Sequence, residues 1–157
     1  MKVLWISAVI AFVLDQASKY YVIHVLGVSQ TNPIDVLPPL LNFRYGENRG
    51  INFGLGDGIS VWLLIAIAIV ICVGVLWWMW RHPQGRLANA SAGLLIGGAL
   101  ANVLDRGLYG YVLDFLNMSC CGINNPFVFN VADIFIFAGA IGLVFFAKED
   151  KPRKKGT

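Results

Sequence analysis

The sequence predicts an all-α membrane protein with four transmembrane helices. Of its 157 residues, 57% are hydrophobic and only 13% are charged, about half the charged fraction of an ordinary soluble domain. The mean hydropathy is +0.67. The apolar residues form four long runs, each close to the roughly 20 residues that cross a bilayer as a helix. We therefore expect one integral membrane domain covering residues 1–157.

The first predicted helix covers residues 3–26. It carries Asp15 and Lys19, which are four residues apart and therefore lie on one face, where they can form an ion pair. A cleaved secretory signal is a poorer interpretation, because the run is long, contains both charges and lacks a small-x-small cleavage site. The pair is compatible with a purely structural role and with a place in a functional site.

The other three predicted helices cover residues 59–80, 87–106 and 129–147. The second has no charged residue and ends in a tryptophan cluster typical of a membrane interface. The third is rich in Gly and Ala, which allow a neighbouring helix to approach closely. The fourth is followed by a basic tail, residues 148–157, with too few apolar groups to fold.

Two long polar loops, residues 27–58 and 107–128, connect these helices on one side of the membrane. The first is too long to be a simple connector; within it, residues 40–45 predict a short strand, and residues 47–54 predict a turn at the membrane edge. The basic turn at residues 81–86 makes helices two and three antiparallel neighbours.

The distribution of Lys and Arg predicts the orientation. Two of these residues, Arg44 and Arg49, lie on the side of the long loops, and Lys19 and Arg106 lie at membrane depth. Cytoplasmic segments carry the excess of positive charge, so both termini are expected in the cytoplasm. The opposite side has eight: Lys2, Arg81, Arg86, Lys148, Lys151, Arg153, Lys154 and Lys155.

This orientation brings scattered polar residues to the outer half of the membrane. An ionisable group at that depth is a functional-site hypothesis by default. Two carboxylates placed close together share a proton and can act as base and acid in peptide hydrolysis. Ion pairing that only holds the helices together, and a proton or ion pathway, remain open as alternatives. The residues are Asp15, Asn102, Asp105, Arg106, Asp114, Asn130 and Asp133.

Several other classes of function are not supported by the sequence. Cys120 and Cys121 are neighbours that could pair only as a strained bridge, so no structural disulfide is expected. The two histidines lie on opposite sides in this topology, so no metal site or cofactor is predicted. The basic residues occur in tails and turns, and nucleic-acid binding is not expected.

Five motifs, taken in order, carry a resemblance to a known family. They span nearly the whole chain, and it is their order and spacing together that are specific. The sequence resembles bacterial lipoprotein signal peptidase, or signal peptidase II. The motifs are Asp15-Gln-Ala-Ser-Lys19, Asn48-x-Gly50 with Phe53 and Gly54, Gly97-Gly98-x4-Asn102-x2-Asp105-Arg106, Gly110-x-Val112-x-Asp114-Phe115, and Phe129-Asn130-x-Ala132-Asp133.

The resemblance implies an intramembrane aspartic endopeptidase of the bacterial inner membrane. Its partners would be membrane lipid and the signal peptides of diacylglyceryl-modified prolipoproteins, cleaved before the lipidated cysteine, and we expect it to act as a monomer without cofactor. The catalytic dyad falls on Asp114 and Asp133. Substrate-binding or dyad-ordering positions fall on Asp15, Asn48, Gly50, Asn102, Arg106 and Asn130.

The family fold also implies a small extracellular β-platform and a short surface helix, which we expect between residues 27 and 58. Asp105 is expected to be structural. Two features depart from the family pattern. Ile51 and Asn52 stand where many members have two alanines, and the segment 117–126 with its adjacent cysteines matches no family motif.

Overall fold

The computed structural model describes residues 1–50, 60–120 and 125–147. The helices in these ranges are α1 (Lys2–Tyr20), α2 (Val61–Arg81), α3 (Arg86–Tyr109) and α4 (Val131–Phe146), and the strands are β1 (Ile34–Leu37), β2 (Leu41–Asn48) and β3 (Val112–Asn117). A π-helical turn, Tyr21–Val25, extends α1. With this extension counted, each helix begins and ends within three residues of the span expected from the sequence.

Three of the described helices are long and apolar enough to cross a membrane: α1 with its extension, α2 and α3. The fourth, α4, is apolar but has only 16 residues. Large apolar side chains cover the outside of α2, including Trp62, Val70 and Trp80, each more than two-thirds exposed. In a membrane protein, such a surface is the one that contacts lipid.

The most buried helix is α3, which packs against α1, α2 and α4. Its small residues allow this. A Cβ atom added at Gly97 would collide with the backbone carbonyl of Ala8 in α1, and one added at Gly98 would collide with that of Ala132 in α4. The backbones of three helices therefore meet closely about one turn before Asn102.

The strands form one antiparallel sheet in the order β1-β2-β3. The expected platform lay entirely in the first loop, but its third strand comes from the second loop, so that expectation is wrong in this respect. The physical reason is that β2 has two edges, and the almost fully buried β3 pairs with the second one. In this register Gly46 lies opposite Asp114, and Asn48 lies opposite Val112.

The sheet joins the helices through the start of α4. Phe129 exchanges backbone hydrogen bonds with Leu116 of β3, at 2.8 and 2.9 Å. Phe115 is buried and contacts Phe43 of β2 edge to face, with ring centroids 5.8 Å apart. The strand that carries Asp114 is therefore fixed directly beside the segment that leads to Asp133.

Some expectations fall outside the described residues. They are the turn residues 51–54, the basic tail 148–157 and Cys121. The surface helix expected in the first loop is not found among residues 27–50, and the rest of its expected range is not described. Cys120 is disulfide-bonded, so the expectation of no disulfide is wrong. That expectation rested on the strain of a bridge between neighbours, and the partner of Cys120 lies outside the described residues.

Candidate active site

Asp114 and Asp133 lie in one buried polar cluster, although they come from different elements. Asp114 is in the middle of β3, and Asp133 is in the first turn of α4. Their exposed fractions are 1% and 5%. Asn130 connects them: its side-chain nitrogen donates to Asp114 Oδ1 at 2.6 Å, and its backbone nitrogen donates to Asp133 Oδ2 at 3.2 Å. We call Asp114 and Asp133 the dyad.

Asn130 owes its position to the beginning of α4. It is the N-cap residue, and its side-chain oxygen accepts a hydrogen bond from the backbone nitrogen of Asp133 at 2.9 Å. Asp133 returns the bond to the Asn130 backbone, which completes a capping box. The same local rule that starts the helix therefore turns the Asn130 amide nitrogen toward Asp114.

Asn48 contacts the other oxygen of Asp114. Its side-chain nitrogen donates to Asp114 Oδ2 at 3.1 Å, and its side-chain oxygen accepts from the backbone nitrogen of Gly50 at 3.2 Å. The diagonal register between β2 and β3 makes this contact possible, because residues two positions apart on paired strands share a face. Gly46, opposite Asp114, leaves no room for a side chain, since its Cβ would overlap Val128.

Asn102 of α3 contacts the other carboxylate. Its side-chain nitrogen donates to Asp133 Oδ1 at 3.1 Å. Its oxygen accepts from Asn130 at 3.2 Å and from the ammonium of Lys19 at 3.3 Å. The dyad is thus surrounded by amide donors, and among the described residues no Lys or Arg side chain forms an ion pair with either carboxylate.

Lys19 belongs to a second buried cluster, which we call the ion cluster: Lys19, Asp15 and Asp105. The ammonium lies 2.7 Å from Asp15 Oδ2 and 2.7 Å from Asp105 Oδ2. Asp15 Oδ1 also accepts the backbone nitrogen of Ala132 at 2.8 Å, and Asp105 Oδ2 accepts that of Leu113 at 3.2 Å. The two acceptors therefore hold the residues that directly precede Asp133 and Asp114.

Arg106 lies beside the dyad, and it forms no ion pair with a described carboxylate. Its Nη2 donates to the backbone oxygen of Gly50 at 2.9 Å. Its Nε is buried and has no hydrogen-bond partner in the part of the chain that the structure describes. A buried guanidinium nitrogen without an acceptor is costly, which makes this donor a candidate to bind a carbonyl group of a substrate.

The surroundings of Asp114 alter its acidity. Burial, and next the negative charge of Asp133, raise the pKa of Asp114 to about 7. The hydrogen bonds from Asn48 and Asn130 act in the opposite direction. A carboxyl group with such a pKa carries a proton for much of the time near neutral pH, which suits a general acid beside a general base.

All eight site residues expected from the sequence are joined by these hydrogen bonds: Asp15, Asn48, Gly50, Asn102, Arg106, Asp114, Asn130 and Asp133. Lys19 was expected to pair with Asp15, but its contacts with Asp105 and Asn102 were not expected. The spacing of Asp15 and Lys19 is a local signal. The other two contacts connect residues more than 80 positions apart, and no local sequence pattern predicts them.

The comparison with protein families matches residues 7–148 of the chain to the model described as signal peptidase (SPase) II. The chain belongs to the signal peptidase II family. A lipoprotein signal peptidase of Alteromonas mediterranea is 41% identical over 148 residues, which cover 92% of this chain and 79% of that protein. One from Methylorubrum extorquens is 37% identical over 155 residues, 97% and 89% of the two chains.

Solved structures agree with this membership. A bacterial membrane enzyme determined by the in meso method at 2.3 Å resolution superposes with a TM-score of 0.81, at 25% identity and over 96% of each chain. A second, at 1.9 Å resolution, gives a TM-score of 0.78 at 27% identity over 92% of each chain. The signal peptidase II family consists of proteases, so this chain is a hydrolase. The alternative of a transporter or proton relay has no support in these comparisons.

Proposed function

We propose that this protein removes the signal peptide from diacylglyceryl-modified prolipoproteins by aspartic hydrolysis at Asp114 and Asp133. Membership of the signal peptidase II family supports the reaction, the removal of signal peptides from prolipoproteins. One observation supports the assignment of the dyad: two buried carboxylates, bridged by Asn130, are surrounded by neutral donors, and no described Lys or Arg forms an ion pair with either. Such carboxylates keep the ability to exchange protons.

We assign the general acid to Asp114 and the general base to Asp133. Asp114 carries a proton near neutral pH because burial and the charge of Asp133 raise its pKa to about 7. Asp133 accepts two hydrogen bonds in the first turn of α4, where the helix dipole stabilises negative charge.

The reaction then proceeds without a covalent intermediate. Asp133 removes a proton from a water molecule, whose oxygen attacks the scissile carbonyl carbon, while Asp114 donates its proton to the carbonyl oxygen. As the intermediate collapses, the carbon–nitrogen bond breaks and Asp133 passes its proton to the leaving nitrogen. Asp114 regains a proton from the hydroxyl as the new carboxyl group forms. Arg106 binds a substrate carbonyl through its Nε, which has no acceptor among the described residues.

The decisive experiment is cleavage of a diacylglyceryl-modified prolipoprotein by the purified protein in detergent. Asp114→Asn and Asp133→Asn should each lower kcat by about a thousandfold or more, since each removes one proton-transfer group. Asp35→Asn is the matched control, because Asp35 is exposed and pairs with Arg44 on the sheet; it should cleave like the wild type. The unlipidated precursor should not be cleaved, and chelators should have no effect.

Full activity in either dyad variant, with the fold intact, would contradict the assignment of the dyad. Cleavage of the unlipidated precursor at the same rate would contradict the proposed substrate. Loss of activity in Asp35→Asn as well would show that the assay reports general damage to the protein.

We also propose the membrane arrangement: four spans, both termini in the cytoplasm, the dyad near the outer face, and a monomer whose substrate acyl chains lie in the adjacent lipid. The excess of Lys and Arg on one side supports it. A membrane-impermeant thiol reagent should label Gln30→Cys in intact cells and Pro83→Cys only after permeabilisation. The reverse pattern would invert the orientation.

A further inference from the structure

Three asparagines turn their amide nitrogens toward the dyad, and each is oriented by a group that can only donate. The oxygen of Asn48 accepts the backbone N–H of Gly50, and the oxygen of Asn130 accepts that of Asp133. The third oxygen, on Asn102, accepts from Lys19 at 3.3 Å. Lys19 is therefore the only side-chain cation among these three anchors.

The contact from Lys19 determines which way the Asn102 amide faces. An ammonium has three protons and no lone pair, so it accepts only the oxygen of an amide. With the opposite orientation, the Asn102 nitrogen would face Lys19 and its oxygen would face Asp133 Oδ1, an acceptor against an acceptor. The Asn130 amide nitrogen donates to the same oxygen at 3.2 Å, and its own orientation is set by the capping bond from the backbone nitrogen of Asp133. Lys19 adds a second donor to this oxygen, one that carries a charge and comes from outside the cluster that contains the dyad.

Lys19 is itself held rigidly. It is 3% exposed, and its three protons match three acceptors: Asp15, Asp105 and Asn102. A cation that only balanced the two carboxylates would not need the third contact. Lys19 also differs from the other two donors, which are backbone N–H groups. A substitution can remove the side-chain donor of Lys19 and leave the backbone unchanged.

We propose that Lys19 is a positioning residue for the catalytic dyad, which acts by fixing the orientation of the Asn102 amide so that its N–H points to Asp133. The inference rests on the proposed function of the dyad. Lys19 touches neither dyad carboxylate in a described ion pair and takes no part in proton transfer. Its contribution to cleavage passes through Asn102.

The test must separate the contact with Asn102 from the charge of Lys19. Lys19→Met alone would leave Asp15 and Asp105 buried without a cation, so the comparison is made in an Asp105→Asn background, where the oxygen of the introduced amide can still accept the Leu113 N–H. In that background Lys19→Met removes charge and donor, whereas Lys19→Gln removes the charge and keeps an N–H donor on a side chain one atom shorter. The Asp15 carboxylate, which only accepts, turns the nitrogen of this glutamine toward the cluster. The readouts are kcat and KM for the lipidated prolipoprotein.

We expect Lys19→Met to lower kcat by about a hundredfold relative to Asp105→Asn, the cost of a small misplacement of a catalytic group. KM should change little, and Lys19→Gln should recover a large part of kcat. Equal kcat in the Met and Gln variants would overturn the inference, because a charge or packing effect does not depend on the donor.

A second measurement tests whether Lys19 acts through Asn102. When Asn102→Ala is already present, exchanging Lys19→Gln for Lys19→Met should change kcat by less than about twofold, because contacting residues are not additive. If the ratio of kcat between Lys19→Gln and Lys19→Met were the same with Asn102→Ala as without it, the inference would be overturned. Loss of cleavage in Asp114→Asn, measured in parallel, reports on the dyad separately: full activity there defeats the proposed function itself, whatever the Lys19 variants do.

Discussion

The dyad and the ion cluster are both buried carboxylate pairs in one small protein, and they differ in what surrounds them. Asp15 and Asp105 share an ammonium at 2.7 Å each. Asp114 and Asp133 receive hydrogen bonds from amides and backbone, with no ion pair to a described residue. A cation beside a carboxylate favours its charged form, whereas burial next to a second carboxylate favours the uptake of a proton. The comparison separates structural from chemical acids.

The two pairs are also connected in a fixed direction. The ion cluster holds the backbone of Ala132 and Leu113, each next to a dyad residue. Asn102 provides a further connection, because it contacts both Lys19 and Asp133. We therefore interpret the ion cluster as the rigid base on which the dyad is assembled.

The largest expected effect on stability follows from this difference. Lys19→Met in the otherwise unchanged protein removes the cation from two buried carboxylates, and breaking a buried ion pair by removing one partner costs about 3–5 kcal/mol. Asp114→Asn should leave stability unchanged or raise it, because it removes a carboxylate that has no counter-ion. Thermal unfolding of both variants in detergent measures the contrast. Similar losses in both would show that the two pairs play the same structural role.

A smaller effect is expected at the edge of the dyad. Asn48→Ala removes the donor to Asp114 Oδ2, and a hydrogen bond to the protonated, neutral carboxyl group contributes about 0.5–1.5 kcal/mol. We expect kcat/KM to fall roughly two- to tenfold, with little loss of stability. Asn48→Asp is the useful companion: it keeps the shape but adds a negative charge beside Asp114, and it should be the worse of the two. Cleavage by Asn48→Ala at the wild-type rate would show that Asn48 does not contribute to the site.

The pH dependence of cleavage tests the proton that is assigned to Asp114. In the proposed mechanism cleavage requires a proton on the dyad, and burial and the charge of Asp133 raise the pKa of Asp114 to about 7, so kcat/KM should fall on the alkaline side with an apparent pKa near 7. Because Asn48 favours the charged form, Asn48→Ala should move that limb to higher pH. A limb that stays in place in Asn48→Ala would contradict the assignment of the proton to Asp114.

The protonation of Asp114 should also make the free energy of unfolding depend on pH. The folded state of Asp114 binds a proton more tightly than the unfolded state, whose pKa is 3.8. Its stabilising contribution is therefore fully present below about pH 4 and is lost as pH rises through about 7. The unfolding temperature of Asp114→Asn relative to the wild type should consequently rise between these values. A constant difference would mean that Asp114 does not titrate in this range.

How much of this could be predicted from the sequence depends on whether the signal is local. The bounds of α1 to α4 follow from apolar runs, and the pair of Asp15 and Lys19 follows from helical spacing. The meeting of Asp114 with Asp133 was expected because charge counting placed both at the same membrane depth. Apolar runs, helical spacing and the distribution of charge along the chain can all be read from a single sequence.

The contacts that orient the dyad could not be predicted in this way. β3 pairs with β2 across more than 60 residues, and only that register places Asn48 beside Asp114. The third contact of Lys19 depends on the close approach of α1 and α3 at Gly97. Loop-to-loop strand pairing and helix packing are decided by tertiary burial, so neither leaves a periodic pattern in the sequence.

The smallest effect is expected from the arginine on the exposed side of Gly50. Arg49 pairs with Glu47 at 2.8 Å and lies 5.3 Å from the centroid of the Tyr111 ring. Its side chain is 66% exposed, and such contacts are screened by water and salt. Arg49→Ala should change kcat/KM by less than about threefold, whereas Arg106→Ala, on the buried side of the same glycine, should lower it far more. If Arg49→Ala were the more damaging variant, substrate recognition would depend on the exposed cation, and the buried Arg106 would belong with the structural charges of the ion cluster.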